Sequence, residues 1–223
     1  MRPMAGLPVL SILLFGLAPL AAAQERPGSV YVLAGIAEVR QSGAADGASQ
    51  IYITAPRGTT TGWTAAAGVF VRSWVSLEGE WSETGTMRAR EPARYNLTYI
   101  EERRDRALGA LVRFHTRPGR RLDVEPVAGV AAVRHDRWSQ TDTYRSWLPA
   151  EQAIDVGPRI RYGTLTGAGF IGGVDLRVGG RHAAFVPSFR VRAVPRGDDL
   201  MAYYPGGFPR WSIAAGASLR VDF

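Results

Sequence analysis

The stretch WSIAAGASLRVDF, Trp211 to Phe223, decides the fold. Taken at every second residue it reads Trp211, Ile213, Ala215, Ala217, Leu219, Val221, Phe223. The residues between are Ser212, Ala214, Gly216, Ser218, Arg220 and Asp222. One set is apolar throughout; the other is small, polar or charged. A period of two is that of a β-strand, whose successive side chains point to opposite faces. A helix would need apolar residues recurring at three and four, and would stack Arg220 over Gly216 and Ala217. The apolar face of such a strand is received either by a protein core or by lipid.

The start of the chain bears on that choice. Arg2 precedes an apolar run from Leu7 to Leu20, then AAAQ, in which Ala21 and Ala23 form a small-x-small cleavage pattern. This predicts a signal peptide over residues 1–23, with cleavage near Ala23, and a single domain over residues 24–223. A membrane anchor is the alternative, but the run is short for a spanning helix and holds Pro8, Gly16 and Pro19. The 223 residues include 26 glycines and no cysteine, which excludes a disulfide framework. Every one of the 27 basic residues is arginine. The net charge of +7 (+6 without Arg2) favours anionic neighbours, in an exported chain lipid phosphates rather than nucleic acid.

Turn chemistry divides the rest. Pro118-Gly119 suits a type II turn, Gly179-Gly180 a tight hairpin, and VRSWV, Val71 to Val75, joins two alternating runs with almost no spacer. Strands are expected at 29–40, 61–72, 74–83, 106–116, 121–134, 165–178, 183–195 and 209–223. In the third, Val75, Leu77, Gly79 and Trp81 oppose Ser76, Glu78, Glu80 and Ser82. In the fourth, Leu108, Ala110, Val112 and Phe114 oppose Gly109, Leu111, Arg113 and His115. The connections run long, short, long, short, long, short, long. The long ones, roughly 41–60, 84–105, 135–164 and 196–208, carry most of the dense charge. In a meander, that rhythm places all the long loops at one end.

A sheet in lipid must close on itself, because hydrocarbon cannot satisfy an open edge. Strands of about 9–11 residues, apolar outside and polar inside, are the expected segments. With its eight runs, its rhythm of turns, its leader and its last residue Phe223, the sequence resembles the bacterial outer-membrane β-barrel superfamily, specifically the small eight-stranded OmpA/OmpX-like barrels. The resemblance covers Gly28 to Phe223. It implies an all-β fold: a closed eight-stranded antiparallel up-and-down transmembrane barrel with short periplasmic turns and four long extracellular loops. It implies a place in the outer membrane and lipid and lipopolysaccharide as neighbours. It also implies transient contact with the barrel-assembly machinery, which reads Phe223 as a signal, and a monomer. The rival is a soluble, lipocalin-like exported barrel with its apolar face inward.

On the polar face, Glu78, Glu80, Arg113, Asp123, Glu125, Asp175, Arg177, Arg190, Arg192, Arg220 and Asp222 carry both signs. Eight strands enclose an interior just wide enough for side chains. Buried charges must be paired, so a plugged, charged lumen is expected, and with it a non-enzymatic barrel of structural or surface-interaction role. Other motifs carry less. GAGFIG, Gly167 to Gly172, matches G-x-G-x-x-G but is followed by strand-like GVDLRVGG, not a helix. Asn96–Thr98 matches a glycosylation acceptor, which carries no weight in a bacterial-type export context. Among His115, His135 and His182 no pair has metal-ligand spacing; no cofactor is expected, and a loop metal could draw only on His135, Asp136 and Asp142. Some outer-membrane barrels modify lipid A through a His beside a Ser. His135 and Ser139 are the candidates for that alternative, in a segment read as loop. Tyr52, Tyr95, Tyr99, Tyr144, Trp147, Tyr203 and Tyr204 read as interfacial belt residues in preference to an adhesive surface.

Overall fold

The computed structural model describes residues 27–41, 58–92, 96–118, 120–145, 148–149, 152–197 and 211–223. Residues 1–26, including the expected leader with Ala21 and Ala23, lie outside the described residues, as do Tyr52, Tyr95, Trp147, Tyr203 and Tyr204.

Ten strands follow one another: β1 (Val30–Gln41), β2 (Gly58–Arg72), β3 (Val75–Thr84), β4 (Met87–Pro92), β5 (Leu97–Phe114), β6 (Leu122–Tyr144), β7 (Ile154–Val156), β8 (Ile160–Gly179), β9 (Ala183–Gly197) and β10 (Trp211–Asp222). Eight of them form a ring in the order β5-β3-β2-β1-β10-β9-β8-β6, and β6 returns to β5. Each pair is antiparallel. β10, which ends on the alternating stretch, has no open edge: Tyr31 to Gln41 of β1 pair with Asp222 to Ser212 on one side, and β9 pairs on the other.

One end carries the tight turns. Ser73 and Trp74 join β2 to β3, and the Gly180 N–H donates to the Ala183 carbonyl at 2.9 Å between β8 and β9. The Gly28 N–H donates to the Phe70 carbonyl at 2.8 Å, and the Phe223 N–H to the Val30 carbonyl at 2.9 Å, so first and last strands are tied there.

The alternating faces resolve into an apolar outside and a charged inside. Ile36 is 67% exposed, Leu108 59%, Phe170 62% and Leu219 64%, whereas Arg113 and Arg177 are 1% exposed and Arg220 and Glu125 not at all. This is the reverse of a soluble barrel, whose apolar face would be the buried one. Around the ring the outward apolar residues form a band. It ends on β1 at Ile36, before Glu38; on β5 at Leu108, before Arg106; and on β6 at Ala132, before Arg134.

Above the band the sheet continues further than the alternation of apolar residues suggests. β5 begins at Leu97 rather than Arg106, β6 runs to Tyr144 rather than Arg134, and β8 begins at Ile160 rather than Leu165. β4 and β7 were not expected as strands; they pair with the upper parts of β5 and β6. The physical reason is that the apolar alternation records contact with an apolar phase. Beyond it, a strand needs only its ladder hydrogen bonds and can carry charge on both faces. Residues 97–105 and 135–144, read as loops, therefore form a sheet wall.

Candidate functional site

Inside the lower half of the ring, every strand but β2 contributes a charged or polar side chain. Arg113 of β5 is the hub. Its Nε and Nη2 donate to Glu78 Oε2 at 3.0 and 2.7 Å, and its Nη1 to Glu125 Oε2 at 2.9 Å and to Asp175. Arg220 of β10 donates to Glu125 Oε1 at 3.0 Å and to Asp222 Oδ1 at 2.8 and 2.6 Å. Arg190 reaches Asp175 at 2.7 Å and lies 3.8 Å from Glu80. Arg177 closes the turn end, donating to the carbonyls of Gly180 at 2.9 Å and Arg120 at 3.2 Å, 3.6 Å from Asp222. Asp123 Oδ1 accepts from the Thr116 hydroxyl at 2.8 Å and the Arg117 N–H at 2.6 Å. Arg192 donates to Ser82 at 2.8 Å. Arginine suits such a hub because its planar fork serves several acceptors at once. Above this layer lies a cavity of about 40 Å³, lined by residues that include Thr64, Ser82, Arg190, Arg192 and Ser212. A cavity of that size has room for a water or two.

Three residues outside the expected set belong to the same network. Tyr31 lies under Arg220, donates from its hydroxyl to Glu78 Oε2 at 2.9 Å, and sits 2.9 Å from Ser76 Oγ. Ser76 Oγ is 2.9 Å from His115 Nε2, and His115 Nδ1 is 3.0 Å from Glu125 Oε1. Room for the Tyr31 ring comes from Gly68 of β2: a Cβ there would fall on the ring. The spacing of Ser76, His115 and Glu125 is that of a Ser-His-acid relay. Its proton order is the reverse of a nucleophile's. Tyr31 gives its proton to Glu78, so Ser76 must give its own to Tyr31, and His115 Nε2–H then donates to Ser76. Ser76 is also wholly buried. The trio is an internal hydrogen-bond chain. The sequence does not reveal it, because Tyr31 and Ser76 are 45 residues apart and meet across β2, where Gly68 leaves room.

The upper lumen holds a second group. Asp105 accepts from His135 Nδ1 and from Gln41, lies 3.3 Å from Arg103 Nε, and has its N–H bonded to Thr84 Oγ1 at 2.9 Å. Arg137 Nε donates to Glu101 at 2.8 Å. His135 is therefore a buried inward residue on β6, not the first residue of a loop. Asp136 lies on the opposite face of that strand, where it accepts from Thr164 at 2.9 Å and from Arg134 at 3.3 Å. Among the described residues His135, Asp136 and Asp142 do not gather as a metal site. Ser139 pairs across the ladder with Glu101, whereas His135 pairs with Asp105. His135, the histidine of the lipid-A-modifying alternative, thus faces the lumen and not the lipid. On the outer face, just above the apolar band, Arg104 and Arg106 lie at 3.0 and 2.7 Å from Glu83. Phe223 is half-buried, tied by its N–H to β1.

No family model and no curated protein matches the sequence. Solved structures do match. The outer membrane protein OprG of Pseudomonas aeruginosa superposes with a TM-score of 0.53 at 10% identity, over 87% of this chain and 96% of that one. Ail, the attachment invasion locus protein of Yersinia pestis, superposes with a TM-score of 0.50 at 10% identity, over 88% of this chain and 99% of that one. At such identities the likeness speaks for the fold. Joined to the closed ring, the apolar outer band and the charged interior, it has one reading: the chain has the fold of the small eight-stranded outer-membrane β-barrels.

Proposed function

We propose that this chain is a non-enzymatic barrel of the bacterial outer membrane. Its lumen is closed by the arginine–carboxylate network, and it works structurally or through the sheet wall and loops above the apolar band. The observation that carries this reading is the inversion of faces. Apolar side chains are exposed on the outside, and ion pairs centred on Arg113 and Arg220 lie inside the lower part of the ring. Side chains packed between strands leave room for waters, not for a diffusing solute. The neighbours follow from the same reading: lipid and lipopolysaccharide around the band, the assembly machinery during insertion, and no second copy of the chain.

Two measurements test it. Membrane fractionation with heat-modifiable gel migration should place the protein in the outer membrane as a folded barrel. The purified chain in a planar bilayer should show no sustained conductance. A helix-rich soluble protein would defeat the barrel reading, and a steady open channel would defeat the closed lumen. Altered lipid A acylation in cells expressing the protein would defeat the non-enzymatic reading.

A further inference from the structure

The hydrogen-bond chain at the turn end fixes more than the orientation of His115. Tyr31 donates to Glu78, and the 2.9 Å contacts from Tyr31 to Ser76 and from Ser76 to His115 then require His115 Nε2 to be the protonated nitrogen. Glu78 Oε2 also accepts two bonds from Arg113. His115 Nδ1 is thus left facing Glu125 Oε1 at 3.0 Å and Asp123 Oδ2 at 3.9 Å. A bare imidazole lone pair against two carboxylate oxygens is repulsive. The point between them calls for a cation: a second proton on the ring, or a metal ion.

Asp123 decides between the two. It is 1% exposed, its Oδ1 is fully engaged by Thr116 and Arg117, and its Oδ2 has no hydrogen-bond partner. A proton on Nδ1, directed at Glu125, leaves that buried oxygen unsatisfied, which is costly for a charged group. A metal ion would satisfy it. The three ligand atoms lie within 4.8 Å of one another. Bonds of about 2.0–2.2 Å around a tetrahedral centre need ligand atoms about 3.4 Å apart, and the 3.0 and 3.9 Å separations here lie on either side of that value.

Charge points the same way. Arg113, Arg177, Arg190 and Arg220 face Glu78, Glu80, Asp123, Glu125, Asp175 and Asp222, an excess of two negative charges among buried groups. One remains even when Arg192, two residues further along β9, is included. The supporting shell is in place: Ser76 holds His115 by its other nitrogen, and Arg113 and Arg220 hold Glu125.

We propose that His115 Nδ1, Asp123 and Glu125 bind a divalent transition-metal cation, zinc being the best fit, and that the ion pins the β5–β6 hairpin at the turn end. One imidazole with two carboxylates suits zinc, whereas magnesium and calcium prefer six or more oxygens. Spacing in the sequence does not reveal the set, because two ligands come from alternate positions on one strand and the third from its hairpin partner.

The test uses the purified full-length chain folded in detergent micelles, stripped with a chelator and dialysed against zinc chloride. Elemental analysis should find one zinc per chain, lost in His115→Ala and in the isosteric Asp123→Asn. It should be retained in His182→Ala, an exposed histidine near the same end. The unfolding midpoint should rise with zinc in the parent and not in the first two variants. Should either variant fail to fold, the parent decides alone, by nitrogen NMR of its histidines: Nδ1 of one histidine should shift on zinc addition. Zinc retained by His115→Ala overturns the proposal, and so does a His115 that keeps both protons in excess zinc.

Discussion

Arg220 on β10 and Tyr31 on β1 meet across the seam that closes the ring, the guanidinium carbon 4.0 Å from the ring centroid. Their strands are the last and first of the ring, so this contact forms only when the two ends of the sheet find each other. The same guanidinium holds Glu125 and Asp222. Arg220→Ala should leave both carboxylates without that partner and lower barrel stability by about 3–5 kcal/mol, the usual cost of breaking a buried pair. Urea titration of the folded chain in micelles, read by gel mobility, checks it. A shift no larger than that of an exposed arginine such as Arg134 would mean that the lumen is wet.

Gly68 gives a test of the same seam that adds no charge. A Cβ there would fall on the Tyr31 ring, whereas a Cβ at Gly79, on the outer face of β3, would meet nothing within 4 Å. Gly68→Ala should therefore cost roughly 1–3 kcal/mol by overpacking, and Gly79→Ala should be nearly neutral. Equal effects would show that Tyr31 does not occupy this position.

The turn-end chain should also distinguish structure from catalysis. Ser76→Ala removes the relay between His115 and Tyr31, and buried partners lose a hydrogen bond worth about 1–3 kcal/mol. Stability should fall. An acyl-ester hydrolysis assay on the parent should detect no activity that this substitution removes; any such activity would make Ser76 a nucleophile and defeat the proton order assigned here.

The ring itself is legible in the sequence because lipid writes it twice, once as apolar alternation and once as short turns. Leu108, Ala110, Val112 and Phe114 announce β5, and Gly179-Gly180 announces the β8–β9 hairpin. The signal ends where the apolar phase ends. Glu101, Arg103 and Asp105 continue the same strand inward, but Glu102, Arg104 and Arg106 on the other face are equally polar, and the pattern reads as a loop. The inward charges are legible as a face, yet their partners are not. That Arg113 joins Glu78, Glu125 and Asp175 depends on the registers of three different strands, one of them 62 residues away. Tyr31, Ser76 and His115 are invisible for the same reason. Each is an ordinary residue whose role comes from a partner on another strand.

The inverted faces yield the last prediction, which decides between lipid and core. Ala128 points outward from the middle of the apolar run of β6, between Val124 and Ala132. Thr61 points outward from β2 opposite Glu38, above the band. In hydrocarbon, an arginine near the midplane costs about 2–4 kcal/mol and one near the interface about 0–1. Ala128→Arg should therefore destabilise the barrel folded in lipid vesicles strongly, and Thr61→Arg hardly at all. Both positions are exposed to the surroundings, so neither substitution disturbs internal packing, and the difference isolates the medium. Measured by urea unfolding in vesicles, a depth-dependent gap of that size supports a membrane-spanning band. Two equally small effects would mean that water lies against Ala128, and the band would then be the outer surface of a barrel that does not cross a membrane.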